Sequence, residues 1–90
     1  MTLRDRRSAN GGRPPYTALQ GQYLAFIRSY TKVMGTPPAE ADMQRYFKVS
    51  PPSVHQMVLT LERRGLIARA PSKARSIAVL LPHDQLPDLE

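Results

Sequence analysis

Between Leu19 and Met34 apolar side chains return every three or four positions. Leu19, Tyr23, Phe26, Ile27, Tyr30, Val33 and Met34 thus share one stripe of a helix. Thr17 is placed to cap its start, and Gly35 followed by Thr36-Pro37-Pro38 ends it near Met34. The tyrosines on that stripe read as amphipathic core residues rather than platforms for stacked bases. Ala39–Phe47 predicts a short second helix, with Glu40 and Asp42 at its positive end and Met43, Tyr46 and Phe47 pointing inward. Lys48-Val49 makes a tight turn into a third.

That third helix is the best-punctuated stretch of the chain. Ser50 can accept from a backbone N–H one turn on, and Pro51 takes the first helical position, where no N–H is needed. Val54, Met57, Val58 and Leu61 follow at i, i+3, i+4 and i+7 and form its buried stripe. Gly65 is expected to end it in the left-handed conformation, behind Arg63 and Arg64, whose cations suit the helix dipole. Pro52, Gln56, Leu59 and Arg63 fall on the opposite face, flanked by Ser53, His55 and Thr60. Such a short, basic, acid-poor face suits a DNA major groove.

After Gly65 the period drops to two. Ile67 and Arg69, then Ile77, Val79 and Leu81, alternate around the polar turn Ala70-Pro71-Ser72-Lys73-Ala74. A basic hairpin behind a helix-turn-helix is a wing, with Arg69, Lys73 and Arg75 on its strands and tip. The fold class expected is mainly α with a small β-hairpin, a three-helix winged helix-turn-helix over residues 16–81. Residues 1–15 read as a disordered basic arm, able to touch phosphates or simply solvated. Residues 82–90 read as a flexible acidic tail.

Charge sharpens this picture. The ninety residues carry a formal +6, and three of the seven acids (Asp84, Asp88, Glu90) lie in the last seven residues. The remainder is more basic still, which suits a polyanionic partner such as nucleic acid. No cysteine is present, which excludes disulfides and thiolate metal sites. No apolar run approaches membrane-spanning length and no secretory h-region opens the chain, so a cytoplasmic, nucleoid-associated location is expected.

The ordered motifs resemble the N-terminal DNA-binding domain of the LexA repressor family. The resemblance begins at Tyr16-Thr17-x-x-Gln20, where the family opens its first helix with Leu-Thr-x-x-Gln. It continues through Phe26-Ile27 and Gly35-Thr36-Pro37-Pro38, then Ser50-Pro51 to Leu61-Glu62-Arg63-Arg64-Gly65-Leu66-Ile67. It closes on Lys73-Ala74-Arg75-Ser76-Ile77, covering about residues 16–80. The family's Thr or Ser cap after the double proline is Ala39 here, its acid in the second helix is Asp42 rather than Glu, and Lys48 stands where it often has Gly in a slightly longer turn. Its base-reading asparagine aligns with Pro52 and its two acids with His55 and Gln56, so an operator unlike the usual SOS box is implied. The family's self-cleaving peptidase domain, with its Ser–Lys dyad and dimer interface, normally follows the wing. The sequence stops at Glu90, and regulation by self-cleavage is not expected.

The function expected is a sequence-specific regulator of double-stranded DNA, a bacterial repressor, reading the major groove with helix 50–64 and the backbone or minor groove with wing 69–75. Ser50 and Ser53 can meet phosphate or a base edge, Gln56 can pair bidentately with adenine, and His55 can donate to a guanine acceptor. Pro52 and Leu59 complete the face, Leu59 as contact for a thymine methyl or as an ordinary exposed leucine. Arg63, Arg69, Lys73 and Arg75 are assigned to phosphates, the wing cation also to the minor groove, and Arg28 is a further phosphate candidate. Tight operator binding calls for two copies on two-fold related half-sites. Two other classes remain open on sequence: a protein-interaction adaptor, and a nonspecific nucleic-acid binder. Catalysis is not expected. His55 has no second histidine or cysteine near it, and Ser72-Lys73 lies in a turn without a pocket, so neither metal nor cofactor is foreseen.

Overall fold

In the computed structural model, which describes residues 14–90, Thr17 opens the first helix, α1 (Ala18–Met34), with a reciprocal capping box. Its hydroxyl accepts from the Gln20 N–H at 3.1 Å, while its own N–H donates to the Gln20 side chain at 2.9 Å. Gly35 ends α1 at φ 79°, donating its N–H to the Thr31 carbonyl. The basic arm read in residues 1–15 lies, as far as residue 13, outside the described residues.

The buried face of α1 is rotated from the expected stripe. It centres on Gln20, Leu24 and Ile27, with Leu24 wholly buried, whereas Leu19, Val33 and Met34 are 55%, 79% and 59% exposed. At about 100° per residue Val33 falls on the far side of the helix from Leu24. Tyr23 and Phe26 hold the interior as expected. The Tyr23 and Phe47 rings stack at 4.0 Å between centroids, and Phe26 packs against both Phe47 and Tyr46.

The second helix, α2 (Glu40–Phe47), has only half a cap, because Ala39 offers no side-chain acceptor. The other half survives: the Ala39 N–H donates to Asp42 Oδ2 at 2.8 Å. Met43 is fully buried and Phe47 half-buried, but Tyr46 is 41% exposed and lays its ring along Phe26. Lys48 turns the chain at φ 56°, ψ 51°, the left-handed geometry in which glycine is common.

The third helix, α3 (Pro51–Arg63), starts at Ser50 and buries Val54, Val58 and Leu61 completely, with Met57 half-buried. Its end is a Schellman motif. The Gly65 N–H (φ 75°) reaches Glu62 O at 3.0 Å, the Leu66 N–H reaches Leu61 O at 2.9 Å, and Leu66 is buried in the core with Leu61. The chain then runs into β1 (Ile67–Ala68), which pairs antiparallel with β2 (Ala78–Val79) in the register Ile67↔Val79. Three helices and this small sheet make a winged helix-turn-helix.

The wing strands are shorter than the alternation predicted, and Arg69 and Arg75 fall in the connecting loop. Ser76 folds that loop on itself, accepting from the Ala70 N–H at 2.9 Å and donating to Lys73 O at 2.8 Å. The frayed tail expected over 82–90 is instead a docked one. After a short 3₁₀ turn (His83–Gln85), Leu86 and Leu89 pack against the core. Tyr16 donates to Gln85 O, Tyr46 to Glu90 O, and Gln22 both donates to Asp88 O and accepts from the Glu90 N–H. Gly21 allows this close approach: a Cβ there would stand 2.8 Å from the Tyr16 ring and 3.1 Å from Pro87.

Candidate nucleic-acid interface

The outer face of α3 is built from its first turn. Ser50 accepts from the Ser53 N–H, and the two hydroxyls lie 3.0 Å apart. Pro51 and Pro52 have no N–H, and the amides of Ser53 and Val54 are taken by the Ser50 carbonyl. The helix start therefore presents hydroxyls rather than free backbone donors. Pro52, Ser53, His55, Gln56 and Arg63 are exposed along the face, and Leu59 is half-buried between them. The Gln56 amide has no partner among the described residues and is free to pair. Among the described residues, the Arg63 side chain hydrogen-bonds only to Thr60, at 3.3 Å.

The wing lies along the far end of this helix. Glu62 of α3 lines one hollow together with Arg69 and Lys73, and Lys73 at the wing tip is exposed. The three wing cations, however, have different surroundings. Arg69 donates through Nε to Glu62 at 3.1 Å and lies 3.9 Å from Glu40, so two acids offset its charge. Arg75 turns back into the fold and donates to Tyr30 Oη (3.2 Å), Pro37 O (3.3 Å) and Asp42 Oδ2 (3.1 Å). Asp42 is a buried acid with its acceptors filled by Ala39, Arg75 and Arg45. The Ala39 N–H above all, then the charges of Arg75 and Arg45, hold its carboxyl below the usual aspartate range against the opposing effect of burial. The hydrogen bond to Tyr30 and the charge of Asp42 push Arg75 upward in turn.

Sequence-predicted residues therefore divide into two groups. Ser50, Pro52, Ser53, His55, Gln56, Leu59 and Arg63 share one face of α3, with Lys73 beside it. Arg75 is committed to the root of the wing, and Arg69 is paired. Arg28 lies on the tail side of α1, its Nη2 2.8 Å from His83 Nε2. Two exposed cations at the ends of α3 went unassigned at the sequence level: Lys48, two residues before the α3 cap, and Arg64, beside Arg63. Their basic character at the two ends of α3 was the available signal. Glu40 was missed for a different reason. Its carboxylate lies 3.3 Å from His55 Nδ1, and fifteen residues of separation hide that contact from any local pattern.

Residues 14–76 match the model of the LexA DNA binding domain. The chain belongs to that family. It is similar to a LexA repressor of Thermosipho africanus (strain TCF52B), 39% identical over 64 residues that make up 71% of this chain and 32% of that protein. A LexA repressor of Thermosipho melanesiensis is 36% identical over 64 residues, with the same coverage of both chains. One of Bartonella quintana (strain Toulouse) is 34% identical over 65 residues, 71% of this chain and 27% of that one. The chain thus spans about a third of the length of the curated relatives it matches. Among the described residues, no helix is long and apolar enough to cross a membrane, and no group of His, Asp and Glu side chains is placed to hold a metal ion.

Proposed function

We propose that the chain is a sequence-specific double-stranded-DNA-binding transcriptional repressor that seats α3 in the major groove. The observation that carries this reading is the outer face of α3, where base-reading groups (Gln56, His55) stand between cap hydroxyls and the exposed Arg63. Family membership adds to it, since the relatives named above are repressors. Lys73, Arg63, Arg64 and Lys48 are the exposed cations flanking that face and take the phosphates. Pro52, at the position of the family's base-reading asparagine, leaves direct readout to its neighbours. One such domain makes few contacts, so two copies on a two-fold related site supply the affinity of a working operator.

Selection of bound duplexes from a random library, with affinities followed across salt, tests this directly. A palindromic consensus with half-sites about a helical turn apart is expected. Binding with a steep salt slope but no enriched sequence would make the chain a nonspecific nucleic-acid binder. Absence of duplex binding would move the domain to the protein-adaptor class.

A further inference from the structure

His55 stands on the α3 face with one ring nitrogen already engaged. Its Nδ1 lies 3.3 and 3.4 Å from the two carboxylate oxygens of Glu40, the first residue of α2. An ionised carboxylate only accepts, so the proton in that contact belongs to Nδ1. Arg69 Nη1 lies 3.9 Å from the same Glu40 carboxylate, and Arg69 Nε donates to Glu62 of α3 at 3.1 Å. The chain His55–Glu40–Arg69–Glu62 therefore runs from α3 to α2, to the wing, and back to α3. Among the described residues, these are the charged groups linked to His55: Glu40 directly, Arg69 through Glu40, and Glu62 through Arg69. Nε2 has no partner there and is the nitrogen left for a base.

We propose that Glu40 is a positioning residue that fixes the hydrogen-bonding character His55 presents to a base, so that base preference at that position switches with pH. The inference rests on the DNA-binding reading above. With Nδ1–H committed to Glu40, a neutral imidazole offers Nε2 as an acceptor. Its match in the major groove is an exocyclic amino group, on cytosine N4 or adenine N6. Once protonated, the same ring offers Nε2–H as a donor, whose match is guanine O6 or N7. The carboxylate accepts from Nδ1–H in both states, so the ring keeps its orientation while its outer nitrogen reverses role. The donation to guanine expected from sequence is then a property of the protonated form alone.

The test uses the ninety-residue chain and a selected duplex with each base pair substituted in turn. Competition binding is read by fluorescence anisotropy at about pH 8 and about pH 5.5. At one position, cytosine or adenine is preferred over guanine by about fivefold at the higher pH, the worth of one ordinary hydrogen bond, and the preference reverses at the lower. His55→Ala removes the preference there at both pH values. Glu40→Ala flattens the higher-pH preference, whereas Glu40→Gln, whose carbonyl oxygen still accepts from Nδ1–H, retains it. Thermal melts at both pH values identify any variant that has lost its fold. Wild-type specificity that ignores pH at every position, or a switch that persists in Glu40→Ala, overturns the proposal while leaving DNA binding intact. Failure of the wild type to bind any duplex overturns both readings together.

Discussion

Lys73 and Arg75 stand two residues apart in the wing and differ in almost every other respect. Arg75 donates to a tyrosine hydroxyl, a backbone carbonyl and a buried aspartate, whereas the Lys73 ammonium has no partner among the described residues. The same contrast extends to the wing root and the outer face of α3 as a whole. At the root polar groups answer one another: Asp42 is met by Ala39, Arg45 and Arg75, and Ser76 by Ala70 and Lys73. On α3, Gln56 and Arg63 are exposed with little to hold them. Counting positive charge treats both regions as binding surface. Following each donor to its acceptor separates cations held within the fold from cations left free for a ligand.

The contrast breaks most visibly under charge reversal. Arg63→Glu with Lys73→Glu should weaken duplex binding tenfold or more at moderate salt, while the melting temperature stays near the wild-type value. Unchanged affinity in a filter or anisotropy titration would remove both residues from the interface. At the root the loss should fall on stability. Asp42→Asn gives up charge-assisted hydrogen bonds inside the fold and should cost about 1–2 kcal/mol in urea unfolding at neutral pH. The sign with pH follows from the depressed carboxyl. Its contribution is fully present above the ordinary aspartate pKa of about 3.9 and is lost as pH falls through the lower folded value. The gap between wild type and Asp42→Asn should therefore close in acid, and a gap independent of pH would show that Asp42's ionisation plays no part.

Smaller effects refine the division. Arg75→Ala should lower the melting temperature by less than Asp42→Asn does, because Asp42 keeps its contacts with Ala39 and Arg45. Gln56→Ala should reduce affinity for a selected site about fivefold and leave affinity for random duplex unchanged. Equal loss on both would make Gln56 a nonspecific contact.

Local punctuation made most of the fold legible. The Thr17 and Ser50 caps, the Gly35 and Gly65 ends and the double proline each act within one helical turn, and each stands where the sequence placed it. What escaped depends on partners far along the chain. The stripe of α1 was rotated because the periodicity of apolar residues does not tell which side meets α2 and β2. The tail read as frayed because its acids and prolines are conspicuous, while the packing of Leu86 and Leu89 on the core, and of Pro87 against Gly21, joins residues far apart in the sequence. In the candidate site, the face of α3 followed from helical spacing alone. The inward turn of Arg75 needed Tyr30 and Asp42, and the engagement of His55 needed Glu40, none of them neighbours in sequence.

The salt dependence of duplex binding, compared between Lys73→Ala and Arg75→Ala at a temperature where both are folded, is the most direct test. Removing a phosphate contact lowers the slope of log affinity against log salt by about 0.9. Lys73→Ala should show that drop and Arg75→Ala the wild-type slope. The reverse pattern would mean that the wing root is the interface and its tip is not.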